Sequence, residues 1–256
     1  MKPAVVVDVG NTRVKWGRCA DDRVAGMASL AHDDEDAWRR QMLDWQIPSG
    51  STWAVSGVQP KQRDRIGAWL SAEGYNTQIV NSYWQLPLRI DVDYPDKVGL
   101  DRLLNAVAVN TVRSPEAGAF IVDAGTAVTV DYVDPTGTFK GGAIFPGLRL
   151  MAKALHDYTA LLPLMDTFES TSEFPSRNTE DALRTGIVHA VAGAIGRLAA
   201  SRRECELYLG GGDAAILFRH VTRQPLLNSQ PLRVWPEMTT RVWPEMTLEG
   251  IRRSVQ

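Results

Sequence analysis

Apolar and polar positions along this chain follow two periods in turn. Residues 4–9 form a mostly apolar, β-branched run that stops at Gly10-Asn11, predicting a strand and then a turn. Residues 13–18 and 23–30 are short strand segments, so the N-terminus reads as a three-stranded meander. The period then lengthens: over 35–45, Trp38, Met42 and Trp45 fall on one helical face. A strand at 52–58, a helix at 60–72 opened by Pro60 and a strand at 77–80 follow. A helix at 101–112 places Leu104, Val107, Ala108 and Thr111 at core spacing.

The pattern then restarts. Residues 119–122 form an apolar strand ending in Asp123-Ala124-Gly125-Thr126. Strands at 127–133 and 138–144 are joined by the turn Asp134-Pro135-Thr136-Gly137. Helices at 147–158 and 179–201, a strand at 206–209 running into Gly210-Gly211-Gly212, and a helix at 213–220 complete it. The order strand, Asp-x-Gly turn, strand, strand, helix therefore occurs twice, which predicts a duplicated α/β lobe. The linker is residues 113–118, containing Pro115 and Gly118, and it divides the chain into lobes 1–115 and 116–256. Near the end, Arg233-Val234-Trp235-Pro236-Glu237-Met238-Thr239 recurs as Arg241-Val242-Trp243-Pro244-Glu245-Met246-Thr247. A short repeat present only twice makes no solenoid; it reads as a surface-loop duplication without chemistry.

Composition narrows the function classes. The chain has 256 residues, 44% hydrophobic and 23% charged, with a net charge of -2. That balance is ordinary for a globular protein and lacks the clustered Lys and Arg of a nucleic-acid binder. The eight tryptophans read as packing residues, Trp16, Trp38, Trp45, Trp53 and Trp69 falling in strands or helices. Two cysteines, Cys19 and Cys205, and four scattered histidines suggest neither a disulfide framework nor a zinc site. The apolar run at 4–7 is short for a signal peptide and no window reaches the length of a membrane span, so a cytoplasmic location is expected.

Candidate chemistry gathers at the turns. In Asp8-Val9-Gly10-Asn11-Thr12-Arg13-Val14-Lys15, a strand delivers a carboxylate to a tight turn. Gly10 allows close backbone approach to an anion, Asn11 and Thr12 offer donors, and Lys15 offers a cation for phosphoryl charge. Asp8 suits a hydrated Mg²⁺. A plain β-turn explains the same residues, but the second Asp-x-Gly-Thr turn at 123–126 strengthens the phosphate reading. No Walker loop is present. Gly210-Gly211-Gly212 suits either nucleotide approach or an ordinary strand-to-helix turn. Gly141-Gly142 and Pro146-Gly147 suit packing or ligand contact equally. In Gly99-Leu100-Asp101-Arg102, the carboxylate reads first as a helix cap and second as a base for an attacking hydroxyl, with Arg102 on a substrate carboxylate.

Taken together, these segments resemble type III pantothenate kinases, of the actin/hexokinase/Hsp70-like phosphotransferase superfamily. The resemblance rests on Asp-x-Gly-Asn-Thr-x-x-Lys at 8–15, Gly-x-Asp-Arg at 99–102, Asp-x-Gly-Thr-Ala at 123–127, Gly-Gly-x-Ile-x-Pro-Gly at 141–147 and Asn178-Thr179. It implies an α/β fold of duplicated ribonuclease H-like lobes with an interlobe ATP cleft. It implies ATP-dependent phosphorylation of pantothenate to 4'-phosphopantothenate, the first step of coenzyme A biosynthesis. Residues 8–15 would bind the ATP phosphates, with Thr126 helping, and Asp101 would be the proton acceptor. Tyr94, Gly99, Leu100, Asp101 and Arg102 would line the pantothenate pocket. Thr179 would reach that pocket across a homodimer interface, making the active site shared. Asp123 would hold a monovalent cation, K⁺ or NH₄⁺. Leu100 stands where the family often has Ala. The alternatives are a regulatory accessory factor, or another kinase or phosphatase of the same superfamily.

Overall fold

The computed structural model of the chain describes residues 2–168, 174–202, 204–221 and 239–255. Its contacts group into two units. Unit 1 holds Met1–Val112, Gly137–Phe139 and Glu245–Gln256, and unit 2 holds Arg113–Thr136 and Lys140–Pro244. The chain thus leaves unit 1 at Val112 and returns to it at Glu245, within the stretch 116–256 that the sequence pattern assigns to the second lobe.

Unit 1 is built on β1 (Val5–Val9), β2 (Val14–Ala20), β3 (Arg23–Leu30), β4 (Thr52–Gly57) and β5 (Asn76–Ile79). Their order is β3-β2-β1-β4-β5. The first three strands pair antiparallel as the predicted meander, and β4 and β5 add in parallel. Each parallel addition requires a crossover helix. The crossover from β3 to β4 is α1 (Glu35–Asp44), and that from β4 to β5 is α2 (Pro60–Ala72). Asp34 caps α1 by accepting from Ala37 N at 2.8 Å, and two acidic residues in the first turn favour its dipole. Side chains alternate across a strand. Val5, Val7, Val9, Val14, Trp16, Trp53 and Val55 therefore share one face, packed with Trp38 and Met42 of α1 and Ile66 and Leu70 of α2. Trp16 and Trp53 meet edge-on at 4.9 Å, and Trp38 meets Trp69 at 5.0 Å.

The other face carries Val6, Asp8, Lys15, Gly17, Ala54 and Ser56. Two further helices belong to this unit, α3 (Leu100–Asn110) and α7 (Met246–Ser254). Leu248 of α7 reaches Gly17, where a Cβ would lie 3.2 Å from Leu248 Cδ1. Gly250 of α7 sits directly on α3. Thr247 Oγ1 donates to Asn105 Oδ1 at 2.8 Å between the same helices. Buried Glu249 accepts from Val24 N at 2.6 Å and pairs with Arg252 at 2.7 Å, tying α7 to the start of β3. A short β6 (Arg89–Ile90) pairs with Thr138 and Phe139 at the start of β9 (Thr138–Pro146), which brings those residues into unit 1.

Unit 2 contains β7 (Ala119–Ala124), β8 (Ala127–Val133), the rest of β9, β10 (Glu206–Gly210) and β11 (Thr240–Val242). Its strands run β11-β10-β7-β8-β9. Read from the meander inward, this repeats the strand order of unit 1. β8 is antiparallel to β7, while β10 and β11 are parallel additions. Helices α4 (Leu148–Asp157), α5 (Thr179–Ala199) and α6 (Ala214–Val221) cover an aliphatic core including Val122, Val130, Ile187, Val191, Ile195, Leu207 and Leu217. α5 is capped by Asn178, whose side chain accepts from Asp181 N at 2.8 Å.

One sequence expectation is overturned. The second copy of the tail repeat is no surface loop: Arg241 and Val242 lie in β11, and Met246 and Thr247 open α7 with Met246 1% exposed. Neither element was legible beforehand. β11 has three residues and α7 has nine, with a glycine near its middle, too short for a period to declare itself. The first copy, Thr239 apart, lies outside the described residues. Among the described residues no helix is long and apolar enough to cross a membrane.

Candidate active site

The first hairpin presents a polar row. Asp8 is in register with Lys15 on β2 and with Ser56 on β4. Register neighbours share a face, so Lys15, Asp8 and Ser56 lie side by side opposite the tryptophan core. The hairpin closes with Gly10 N donating to Arg13 O at 3.1 Å, leaving Asn11, Thr12 and Arg13 exposed at the tip. Gln59, just before α2, donates from Nε2 to Asn11 O at 3.1 Å and to Asn11 Oδ1 at 3.3 Å. Gly57 supports the strand end: its φ is 149°, and a Cβ there would lie 2.4 Å from Val9 O. No side chain fits.

Asp101 stands on the second residue of α3, with Gly99 as the N-cap. Its Oδ1 accepts from Arg102 N at 2.8 Å. A Cβ on residue 99 would lie 2.6 Å from that same oxygen, so glycine is what leaves room for the carboxylate in this orientation. Burial pushes the Asp101 carboxyl above the usual carboxylate range; the Arg102 N–H, the Arg102 guanidinium and Lys15 pull the other way. Lys15 and Asp101 belong to the same unit. The Arg102 guanidinium lies 5.8 Å from the Phe139 ring. Leu100 is half-buried, and Tyr94, just before the turn Pro95–Lys97, is exposed.

Unit 2 repeats the device. Asp123 is in register with Thr129 and Gly210, and Gly125 N donates to Ala127 O at 3.1 Å across the turn that holds Thr126. Gly147 N donates to Thr126 O at 2.9 Å, and a Cβ there would lie 2.2 Å from Gly125 O. Gly211, at φ 89°, would place a Cβ 2.5 Å from Ala124 O. Gly57 and Gly211 therefore do the same thing in the two units: each lets the backbone at the carboxyl end of a parallel strand press on the residue that follows the hairpin aspartate. Asp213 N donates to Ala124 O at 3.0 Å, and its buried carboxylate pairs with Arg149 at 3.0 Å. Thr179 opens α5 and borders an apolar cavity of about 300 Å³ with Met151, Leu155, Leu183 and Ile187.

Ser56, Gly57, Gln59, Arg149 and Asp213 are residues that sequence reasoning missed. The available signal was position: they sit in or beside the loops at the carboxyl ends of parallel strands, or on the helix facing one, where α/β sheets place ligands. The donor chemistry suits the expected ions. Among the described residues no group of three or more His, Cys, Asp or Glu gathers. A single buried carboxylate such as Asp8 fits Mg²⁺, which keeps waters and substrate phosphates as its other ligands. The Asp123 carboxylate is an oxygen donor of the kind a hard monovalent cation takes.

Comparison with known proteins gives a consistent picture. The family model described as type III pantothenate kinase matches residues 4–201. A type III pantothenate kinase of Alkalilimnicola ehrlichii is 34% identical over 243 residues, covering 87% of this chain and 89% of the relative. Among solved structures, a conserved Baf-family protein of Campylobacter jejuni aligns with a TM-score of 0.61 at 19% identity, over 98% of this chain and 96% of its own. The ROK hexokinase of Thermus thermophilus aligns with a TM-score of 0.50 at 14% identity, over 99% and 98%. At those identities the two structures speak for the fold alone, which is of the actin/hexokinase/ROK type.

Proposed function

This chain belongs to the type III pantothenate kinase family and catalyses ATP-dependent phosphorylation of pantothenate; from that premise we propose how its residues divide the reaction. The two units are ribonuclease H-like lobes arisen by duplication, a reading supported by their equal strand order and paired Asp-x-Gly hairpins. The hairpin from Asp8 to Lys15 receives the ATP phosphates through the backbone at Val9, Gly10 and Val14 and the side chains of Asn11, Thr12, Arg13 and Lys15. Thr126 contributes from the second hairpin. Asp8 would hold Mg²⁺ through water, and the ion would supply charge neutralisation at the ATP phosphates. Asp123 holds K⁺ or NH₄⁺.

Asp101 accepts the proton of the pantothenate hydroxyl as that oxygen attacks the γ-phosphorus in line, and ADP departs. Lys15 offsets the charge that develops on the transferred group. Arg102 binds the substrate carboxylate, and Tyr94, Gly99 and Leu100 shape the pocket around it. Thr179 completes that pocket from a second copy in a homodimer, and the enzyme works in the cytoplasm. The observation that carries this reading is geometric: register sets Asp8 beside Lys15 in the first hairpin, and the same unit holds Asp101 in the first turn of α3 behind Gly99.

The test is an ATP-dependent phosphorylation assay with pantothenate as acceptor, with and without K⁺. ATP consumption that ignores the acceptor would replace the kinase reading by a hydrolase. Lys15→Met is expected to reduce kcat/KM about 10²–10³-fold. It should also move the acid limb of the pH profile upward, because Lys15 lowers the Asp101 pKa. Gln59→Ala removes the hydrogen bonds that steady the hairpin tip. It should raise KM for ATP about 3–10-fold, the worth of roughly one hydrogen bond, with KM for pantothenate unmoved.

A further inference from the structure

Ser56 is fully buried, and its hydroxyl has no hydrogen-bond partner. A buried donor left unpaired forfeits its hydration without return, and each such group in a folded protein asks for an explanation. Nothing in the fold demands a hydroxyl here. Ala54, two positions earlier on the same strand and the same face, packs as a plain methyl. The neighbours of Ser56 distinguish the two positions. Parallel register sets it beside Asp8, and Lys15 flanks Asp8 on the other side. Trp16 and Trp53 also leave buried indole N–H groups unpaired, but they belong to the opposite, apolar face, where their register partners on β1 are Val7 and Val5.

We propose that Ser56 is a positioning residue for Asp8: rotation about χ1 brings its hydroxyl onto the Asp8 carboxylate, fixing the orientation in which that carboxylate meets hydrated Mg²⁺. Adjacent strands are about 4.8 Å apart, within reach of a serine Oγ and an aspartate Oδ on the same face. A carboxylate holding Mg²⁺ through water uses oriented lone pairs, because the ion demands near-octahedral geometry. One donor on the carboxylate selects which oxygen faces the ion, as outer partners do for metal ligands generally. The inference rests on the reading of Asp8 as the magnesium-side carboxylate.

The experiment uses the full chain and compares wild type with Ser56→Ala, Ser56→Thr and Asp8→Asn. Calorimetric ATP binding is titrated against Mg²⁺, alongside steady-state kinetics and thermal unfolding. Ser56→Ala is expected to raise the Mg²⁺ concentration for half-maximal ATP binding about 10–100-fold, the effect of losing one hydrogen bond to a charged group. KM for pantothenate should stay put, and Ser56→Thr, which keeps the hydroxyl, should restore the Mg²⁺ dependence. Should threonine overpack the site, the Asp8→Asn/Ser56→Ala double variant decides, its Mg²⁺ effect being less than the product of the single effects. An unchanged Mg²⁺ dependence in Ser56→Ala, beside a clear effect of Asp8→Asn, sinks the positioning role and leaves Asp8 standing. No effect of Asp8→Asn removes the premise and the inference together.

Discussion

Asp101→Asn is expected to lower kcat by about 10²–10⁴-fold, the usual contribution of a positioned general base. The substitution keeps the shape and the acceptor oxygen that receives Arg102 N at 2.8 Å, so α3 should stay intact. What it removes is the group that can take the hydroxyl proton. The pH profile gives a second readout. The base works only as carboxylate, and burial raises the Asp101 pKa. The acid limb of kcat/KM in wild type should therefore lie above the ordinary carboxylate range, with activity falling as pH drops through it. In Asp101→Asn that limb should disappear from the residual rate. ATP binding measured by calorimetry should change little. Wild-type activity in the Asn variant would return Asp101 to a purely structural role in the first turn of α3.

Gly250→Val should damage both stability and activity, although the residue is far along the chain from every motif. A Cβ at position 250 would lie 2.0 Å from Leu104 O and 2.5 Å from Leu104 C, both backbone atoms of α3. Backbone cannot rotate away, so α7 must move off α3. Overpacking of this kind typically costs 1–3 kcal/mol, which for a chain of this size is a fall in Tm of roughly 2–4 °C per kcal/mol. The shift would also disturb the Thr247–Asn105 hydrogen bond and the seat of Leu248 against Gly17. Since Asp101 lies in the first turn of α3, kcat should fall at temperatures where the variant remains folded. Gly186→Ala is the control. It lies in α5 with nothing within 4 Å of a Cβ, so its Tm should hold or rise, alanine being the better helix residue. Equal behaviour of the two variants would mean that α7 does not brace α3.

The candidate site residues legible in the sequence are those whose chemistry is local. An Asp-x-Gly turn after an apolar strand needs no distant partner to be noticed, and neither does Gly99 before Asp101-Arg102. Ser56, Gln59 and Asp213 escaped because their meaning is relational. Each is an unremarkable polar residue until parallel pairing sets β4 beside β1, or β10 beside β7. Glycines behaved the same way. Gly57, Gly211 and Gly250 are single letters whose necessity comes from backbone atoms far away in sequence.

Hydrophobic period and turn residues by themselves determined the repeated element order, the two hairpins and the packing role of the tryptophans, because strand and helix periods and turn chemistry act over a few residues. Tertiary structure alone decided the rest. It paired Lys15, Asp8 and Ser56 in a row, placed Asp101 within the influence of Lys15, and returned the second tail repeat to unit 1 as the helix that braces α3. Those outcomes depend on strand register and close backbone packing between segments separated by long stretches of chain, and no local pattern encodes either.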